Sequence, residues 1–314
     1  MEWPERIGRR IRLRDLHILL AVVQCKSLAK AAKHLAISRP VISRAINDLE
    51  HVLGVRLLER DRHGAEPTTY GAALLKRGMT IFDELRESVK DIEFLADPAA
   101  GEVRIGCHHF LATGFVSAVI DRLSRSHPRI VFHIVASETA TLHRELNDRN
   151  VDLLVAWRFG LFADARVGFE FLFDDTFVVA AGARHSWARR RRIELAELAN
   201  QTWALPPPES VLASIEIQAF RAQGLDYPRA TVFSVSAPVL ISQLATGRFL
   251  TIVPASVLRF PAGRPELKIL PVELSLARLP IGVVTLKNRT LSPVARLFID
   301  TARELGKPLA KSKS

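Results

Sequence analysis

The sequence predicts an α/β protein. A small all-α unit with a two-stranded wing and a long helix comes first, and a larger domain of two α/β lobes follows. Three observations predict it. Apolar residues recur at helical spacing from 13 to 53, with capping and turn residues between the runs. A heptad-like seam runs from 75 to 92. After Gly101, strand-like and helix-like segments alternate to the C-terminus.

The N-terminal unit opens with Leu13, Leu16, Leu19, Leu20 and Val23, one face of a first helix over 13–24. Ser27 is a suitable N-cap for a second helix with Ala31, Ala32 and Leu35 on its apolar face. Ala36-Ile37 is the turn. Ser38 caps a third helix, with Pro40 in its first turn where a missing N–H is harmless. Val41, Ile42, Ala45, Ile46, Leu49, Val52 and Leu53 supply its buried stripe. That leaves Arg39, Ser43, Arg44 and Asn47 facing outward. Alanines in the second helix allow two steeply crossed helices to approach closely. The pattern is a helix-turn-helix spanning Leu28 to Asn47, with an ordinary helical hairpin as its alternative. Arg, Ser and Asn on the free face suit base edges and phosphates of duplex DNA. Strands at Val55–Arg60 and Glu66–Thr68, joined by a turn at 61–64, would form the wing. That wing would bring Arg60, Arg62 and His63 beside a nucleic-acid backbone, unless they simply face solvent.

Thr69 is expected to cap the long helix, which continues to about Leu95. Leu75, Phe82 and Val89 lie seven apart, as do Leu85 and Ile92. A lone helix cannot bury such a seam against itself, so a second copy of the chain is the expected cover; packing onto its own domain is the alternative. Asp97-Pro98-Ala99-Ala100-Gly101 breaks the helix. Strands are expected at Glu102–Cys107, Ile130–Val135 and Val151–Val155, with helices at Phe115–Ser126 and Thr141–Asn147 between them. A second wound unit begins near Asp174. It holds strands at Thr176–Ala181, Thr202–Leu205, Thr231–Val235 and Leu250–Val253, and helices at Val211–Gln223 and Val239–Thr246. An extended Leu267–Pro271, a strand Pro280–Leu286 and a closing helix Pro293–Leu305 complete it. Both sheets are expected to be parallel, and Gly306 to Ser314 a basic tail without regular structure.

The 314 residues carry a net charge of +11, and 13 Lys/Arg against 7 Asp/Glu fall in residues 1–62. More than half of the excess therefore sits on the helix-turn-helix unit, which favours a polyanionic partner. Cys25 and Cys107 are expected to be core thiols in a reducing compartment. The apolar stretch His17–Val23 is too short to span a bilayer, and the basic N-terminus lacks a signal-peptide core. A cytoplasmic protein with no membrane partner is expected. There is no Gly-x-Ser-x-Gly elbow, P-loop, Gly-x-Gly-x-x-Gly or Cys-x-x-Cys, so no enzyme, cofactor or metal is expected. Ser117, Asp121 and His127 lie close in sequence, but on a predicted amphipathic helix. The run Arg189–Arg192 reads as a solvated connection or as a further nucleic-acid patch.

With these residues in place, the chain resembles the LysR-type transcriptional regulators over nearly its whole length. The resemblance rests on Ser27, Ala31-Ala32, Leu35, Ser38, Pro40-Val41, Ser43, Ile46, Leu49-Glu50, Leu53-Gly54, Leu57, Arg60, Thr68 or Thr69, and Gly71. Gly101–Gly106, His127-Pro128, Val151–Leu153, Asp174-Asp175 and Gly247–Pro254 extend it. It implies a winged helix-turn-helix at 1–70, a dimerising linker helix at 71–97 and an effector domain at 98–306 like a periplasmic binding protein. Lobe I would be 101–173 plus 276–306, lobe II 174–275, and 307–314 the tail. It further implies dimers or tetramers on an interrupted promoter palindrome, contact with RNA polymerase, and a small-molecule effector between the lobes. Two positions depart from the family pattern. Arg39 replaces the usual Gln, which favours guanine or phosphate over adenine. Phe249 replaces the second Gly of a Gly-x-Gly turn.

Wound lobes bind ligands at strand C-terminal ends beside helix N-termini. Three segments qualify: His108–Thr113, Ser137–Thr141 and Pro206–Ser210. Expected effector contacts are His109, Phe110, Thr113, Ser137, Thr139, Pro206 and Phe249, around an organic acid or an aromatic or sugar-derived metabolite. By alignment with the family, Phe110 and Thr139 fall where relatives carry ligand-binding hydroxyls. The alternative for His108 and His109 is an exposed loop.

Overall fold

The computed structural model describes residues 10–61, 64–158, 164–260 and 267–311, which form two compact units, one up to Ser88 and one from Val89 onward. In the first unit α1 (Leu13–Cys25), α2 (Leu28–His34) and α3 (Arg39–Leu53) pack about Ile18, Leu19, Val22, Ala31, Ile42, Ile46 and Leu49. Val41 and Leu13, expected inside, lie on the surface, and Ile18, Ala21 and Val22 take the inner face of α1. The α2–α3 turn puts Ala36 at φ 53°, a left-handed conformation held by the Ile37 amide donating to the Ala32 carbonyl at 3.0 Å. Gly54 ends α3 at φ 70°, where a side chain would be strained.

The wing pairs β1 (Leu58–Asp61) antiparallel to β2 (Gly64–Pro67). The strand starts later than the Val55 expected, because Glu50 at the end of α3 first takes the Leu57 and Leu58 amides at 2.8 and 3.2 Å. The helix α4 spans Thr69–Ala96. Thr68, not Thr69, caps it: its hydroxyl accepts from the Gly71 amide at 3.0 Å and donates to the Arg56 carbonyl at 2.7 Å.

In the second unit a five-stranded sheet has the order β4 (Arg129–Ala136), β3 (Ala100–Cys107), β5 (Leu153–Trp157), β12 (Leu279–Leu286), β6 (Val167–Asp175). β3 is parallel to β4 and β5, whereas β12 is antiparallel to both β5 and β6, so the all-parallel sheet expected is corrected to a mixed one. The reason is connectivity. The chain leaves this lobe along β6 and returns along β12, and that return runs against its neighbours. One face is covered by α7 (Thr139–Asn147) over Leu142, Leu146, Val151, Leu154 and Val284. The other carries α12 (Pro293–Lys311) and a helical stretch in three parts: α5 (His109–Leu111), a π-helical turn (Ala112–Val116) and α6 (Ser117–Ser126). Helix thus begins at His109, six residues before the expected start.

The other lobe is built on β7 (Phe177–Gly182), β10 (Leu250–Pro254) and β11 (Leu267–Ile269), antiparallel with β7 in the centre. A parallel pair, β8 (Ala204–Leu205) and β9 (Val232–Phe233), joins it through a bridge between Trp203 and Leu250. Helices α8 (Leu195–Leu198), α9 (Val211–Arg221), α10 (Ala237–Ala245) and α11 (Ala255–Arg259) flank these strands. At the first crossing between lobes, the Asp175 carboxylate accepts from the Thr176 amide, the Ser256 amide and the Ser256 hydroxyl at 2.9, 3.1 and 2.6 Å.

Two further expectations change. Residues 307–311 are not an irregular tail: Leu305 and Leu309 prolong the apolar stripe, and α12 runs on to Lys311 through Pro308. Arg189 to Arg192 are exposed, and Arg190 lies over the Trp187 ring at 5.4 Å.

Candidate nucleic-acid interface and effector cleft

The outer face of α3 is held by its inner one. Ile42, Ala45, Ile46 and Leu49 are buried, and Glu50 ties the helix to the wing. Ser38, Arg39, Pro40, Arg44 and Asn47 are exposed and Ser43 is half-buried. Among the described residues, the side chains of Arg39, Arg44 and Asn47 make no hydrogen bond or ion pair with the protein. Ser38 precedes the first turn without a side-chain cap bond. These groups stand on a fixed rod with their donors unspent, at the N-terminal half of the helix where recognition helices meet base edges. Ser27 does cap α2, accepting from the Lys30 amide at a long 3.4 Å. The Arg60 side chain, Arg62 and His63 lie outside the described residues.

The seam expected on α4 divides. Leu75 and Phe82 are partly buried within their own unit: Leu75 packs on the core cluster that includes Ile18, Leu19 and Val22, and the Phe82 ring sits 5.7 Å from that of His17. For these two the alternative of packing onto their own unit is seen, because α1 reaches that side of α4, and both keep part of their surface exposed. Leu85, Val89 and Ile92 are exposed at 44, 52 and 65%, joined by Ile81 and Leu95.

The second unit contains a cavity of about 110 Å³. His108, Glu138, Thr139 and Ala140 line it at the ends of β3 and β4, and Ser210, Val211, Leu212 and Val235 line it from the other lobe. The residues after these strands supply the mouth because strands end where helices begin. Of the effector contacts expected, Thr139 lies here. Phe110 and Phe249 do not: each is buried in the apolar core, Phe110 stacked on His108 and Phe249 beneath the Arg248 guanidinium. Thr113 spends its hydroxyl on the His109 and Phe110 carbonyls at 3.2 and 3.0 Å. His109, Ser137 and Pro206 flank the cavity without lining it; Ser137 bonds back to the Cys107 carbonyl, and Pro206 is buried.

His108, not His109, faces the cavity. Its ring lies 4.9 Å from that of Trp157, and burial, then the charge of His109, pushes its pKa down to about 4. The imidazole is therefore neutral at physiological pH. Burial pushes the neighbouring Cys107 thiol up to about 12, so it stays unreactive. Both cysteines are free.

Ahead of β5, Asp152 is almost fully buried. It takes Arg289 at 2.7 Å, Lys90 at 3.6 Å and the Arg104 amide at 2.8 Å. The chemistry of a hydrolase is missing from the one suggestive triple. Ser117 donates to the Ala112 carbonyl, Asp121 pairs with Arg125, and His127 meets Ser126. Among the described residues no cluster of His, Cys, Asp or Glu could hold a metal, and no helix is long and apolar enough to cross a membrane.

Residues 13–72 match the bacterial regulatory helix-turn-helix protein model of the lysR family, and residues 96–307 match the LysR substrate binding domain. The chain belongs to the LysR family of DNA-binding transcriptional regulators, with an effector-binding domain behind its helix-turn-helix. It is 28% identical over 296 residues to the HTH-type transcriptional regulator GbpR of Azospirillum brasilense, covering 94% of this chain and 86% of that one. It is 26% identical over 300 residues to PcaQ of Agrobacterium fabrum, covering 95 and 96%. These relatives are regulators, not enzymes. Among solved structures, a full-length OxyR variant from Pseudomonas aeruginosa superposes with a TM-score of 0.64 at 19% identity, covering 93 and 95%. Full-length CbnR complexed with its target DNA gives 0.53 at 22%, covering 94 and 100%. Likeness at this identity carries the fold.

Proposed function

We propose that this regulator sets α3 into the major groove of a promoter, with Arg39, Ser43, Arg44 and Asn47 as its readers and Ser27, Ser38, Pro40, Arg60 and Arg62 beside the backbone. The observation that carries this is the row of exposed, unengaged polar groups on a helix whose opposite face, Ile42, Ala45, Ile46 and Leu49, is buried. In this reading 1–70 binds DNA, 71–97 links and dimerises, and 98–306 senses. The exposed stripe Ile81, Leu85, Val89, Ile92 and Leu95 suits a second copy of the chain, so that two readers address the halves of an interrupted palindrome as a dimer or tetramer. A small molecule in the cavity between the lobes alters DNA binding or bending, and through it the engagement of RNA polymerase in the cytoplasm.

Selection of duplexes by the full-length protein, followed by mobility shifts across a salt series, tests the DNA reading. One recurrent sequence should emerge. Affinity for it should fall linearly on a log–log salt plot, with a slope of about −0.9 per phosphate neutralised. Recovery of no shared sequence, or binding indifferent to salt, would overturn it.

A further inference from the structure

The chemistry around the cavity narrows the ligand class, an inference that rests on the effector reading above. Two helices open onto it, α7 of nine residues and α9 of eleven. Glu138 precedes α7 without making a side-chain cap bond. At α9 the Ser210 hydroxyl accepts from the Ala213 amide alone, at 3.1 Å. Among the described residues, the amides of Thr139, Ala140, Val211 and Leu212 have no acceptor, and all four residues line the cavity. Two helix dipoles thus bring their positive ends to one space.

A side chain points to a ligand independently. His108 is 7% exposed, lines the same cavity, and has its Nδ1 buried with no hydrogen-bond partner among the described residues. Its ring is fixed by Trp157 and by the parallel ring of Phe110, 6.4 Å away. A buried imidazole with spare bonding capacity costs free energy unless something completes it.

The rest of the lining limits what that something is. None of the eight lining residues is Lys or Arg, and the one charged group is the exposed Glu138. A dianion such as phosphate would find no cation there and a carboxylate opposing it. Ala140, Val211, Leu212 and Val235 make half of the lining apolar, which offers a sugar too few partners. The volume of about 110 Å³ falls well below the roughly 300–1,000 Å³ of pockets for drug-sized ligands.

We propose that the cleft binds a compact monocarboxylic acid. Its carboxylate lies on the first-turn amides of α7 and α9 and accepts a hydrogen bond from His108, and its apolar body rests on Leu212 and Val235. His108 is a specificity-determining residue of that site. It acts as a neutral donor, so affinity is set by hydrogen bonding and helix dipoles and not by a titrating cation. His109 and Glu138 are the charged or titratable neighbours of His108.

Calorimetry on the full-length protein tests this with butyrate and benzoate, their amides butyramide and benzamide, inorganic phosphate and galactose. At least one acid should bind, with its amide tenfold or more weaker and phosphate weaker still. His108→Phe should weaken the acid tenfold or more, while His108→Gln, which keeps a donor, restores part of the affinity. Thermal melts check that both variants fold. In a His109→Gln background, which removes the neighbouring imidazole, affinity should be constant from pH 7 to 8; a rise as pH falls across that range would show His108 charging and overturn the neutral-donor role. Equal binding of acid and amide, preference for phosphate or galactose, or no acid binding at all would overturn the ligand class. Ala140→Trp, which fills the cavity, separates this from the broader reading. If a cell extract's small-molecule fraction alters DNA binding by the wild type but not by Ala140→Trp, the cleft is the effector site whichever class binds. If the variant responds as the wild type does, the cleft reading itself fails.

Discussion

The outer face of α3 and the cleft between the lobes, the two recognition sites proposed above, are built in opposite ways. On α3, fifteen consecutive residues carry everything: one face is buried to fix the rod and the other is left wet. In the cleft, eight lining residues come from four separate stretches between 108 and 235, and no short segment reveals which of them meet. The first site is local and exposed, so changing a reader should alter recognition with little effect on folding. The second is non-local and is held by the interior of its unit, so changes in that buried scaffold should act through stability.

The largest effect should test that scaffold. Asp152→Ala removes the carboxylate shared by Lys90, Arg289 and the Arg104 amide, and breaking a buried ion pair costs about 3–5 kcal/mol. Chemical denaturation should show that loss in the transition of the unit from Val89 onward. A loss below about 1 kcal/mol, typical of an exposed pair, would erase the contrast. Next in size, Arg39→Ala or Arg44→Ala should lower operator affinity by about 1–3 kcal/mol while leaving the melting temperature in place. The Arg that reads a base should also relax the preference at one position of the selected site, and one that holds a phosphate should weaken all sequences alike. A drop in melting temperature with either variant would mean that α3 does not separate its two faces. The smallest effect belongs to Ser27→Ala. Its cap bond is long, so the cost should lie near 0.5 kcal/mol, the low end for N-caps, measured as a shift in denaturant midpoint.

The same contrast explains what could be read from the sequence. Ile42, Ile46 and Leu49 announce α3 by spacing alone, and Arg39, Arg44 and Asn47 follow as its outer face. Most strands of the larger unit were legible along the chain, β6 (Val167–Asp175) excepted, but not their order in the sheet or their directions: β12 runs antiparallel because the chain returns from the other lobe, a fact of topology that no local pattern carries. The cleft was legible only as three candidate loops. Within them, which of His108, His109 and Phe110 lines the cavity turned on how one short helix starts. With α5 beginning at His109, Phe110 turns into the core and His108 is left at the strand end. Phe249 looked like a cleft residue because of its place in a family turn, yet a large ring entering β10 gains more from burial. Leu75 and Phe82 share a heptad phase with Val89, and spacing cannot say that α1 covers the first two.

The strand exchange between lobes has a mechanical corollary. Two chain segments lie between them, one at Asp175-Thr176 and one leading from β11 to β12. A single tether would let one half tumble freely about the other. A double tether leaves mainly a swing about the line joining the two ties, as in a door on two pins. On the effector reading proposed above, occupancy of the mouth would be translated into an angle along one coordinate, which a small molecule can bias with only a few contacts.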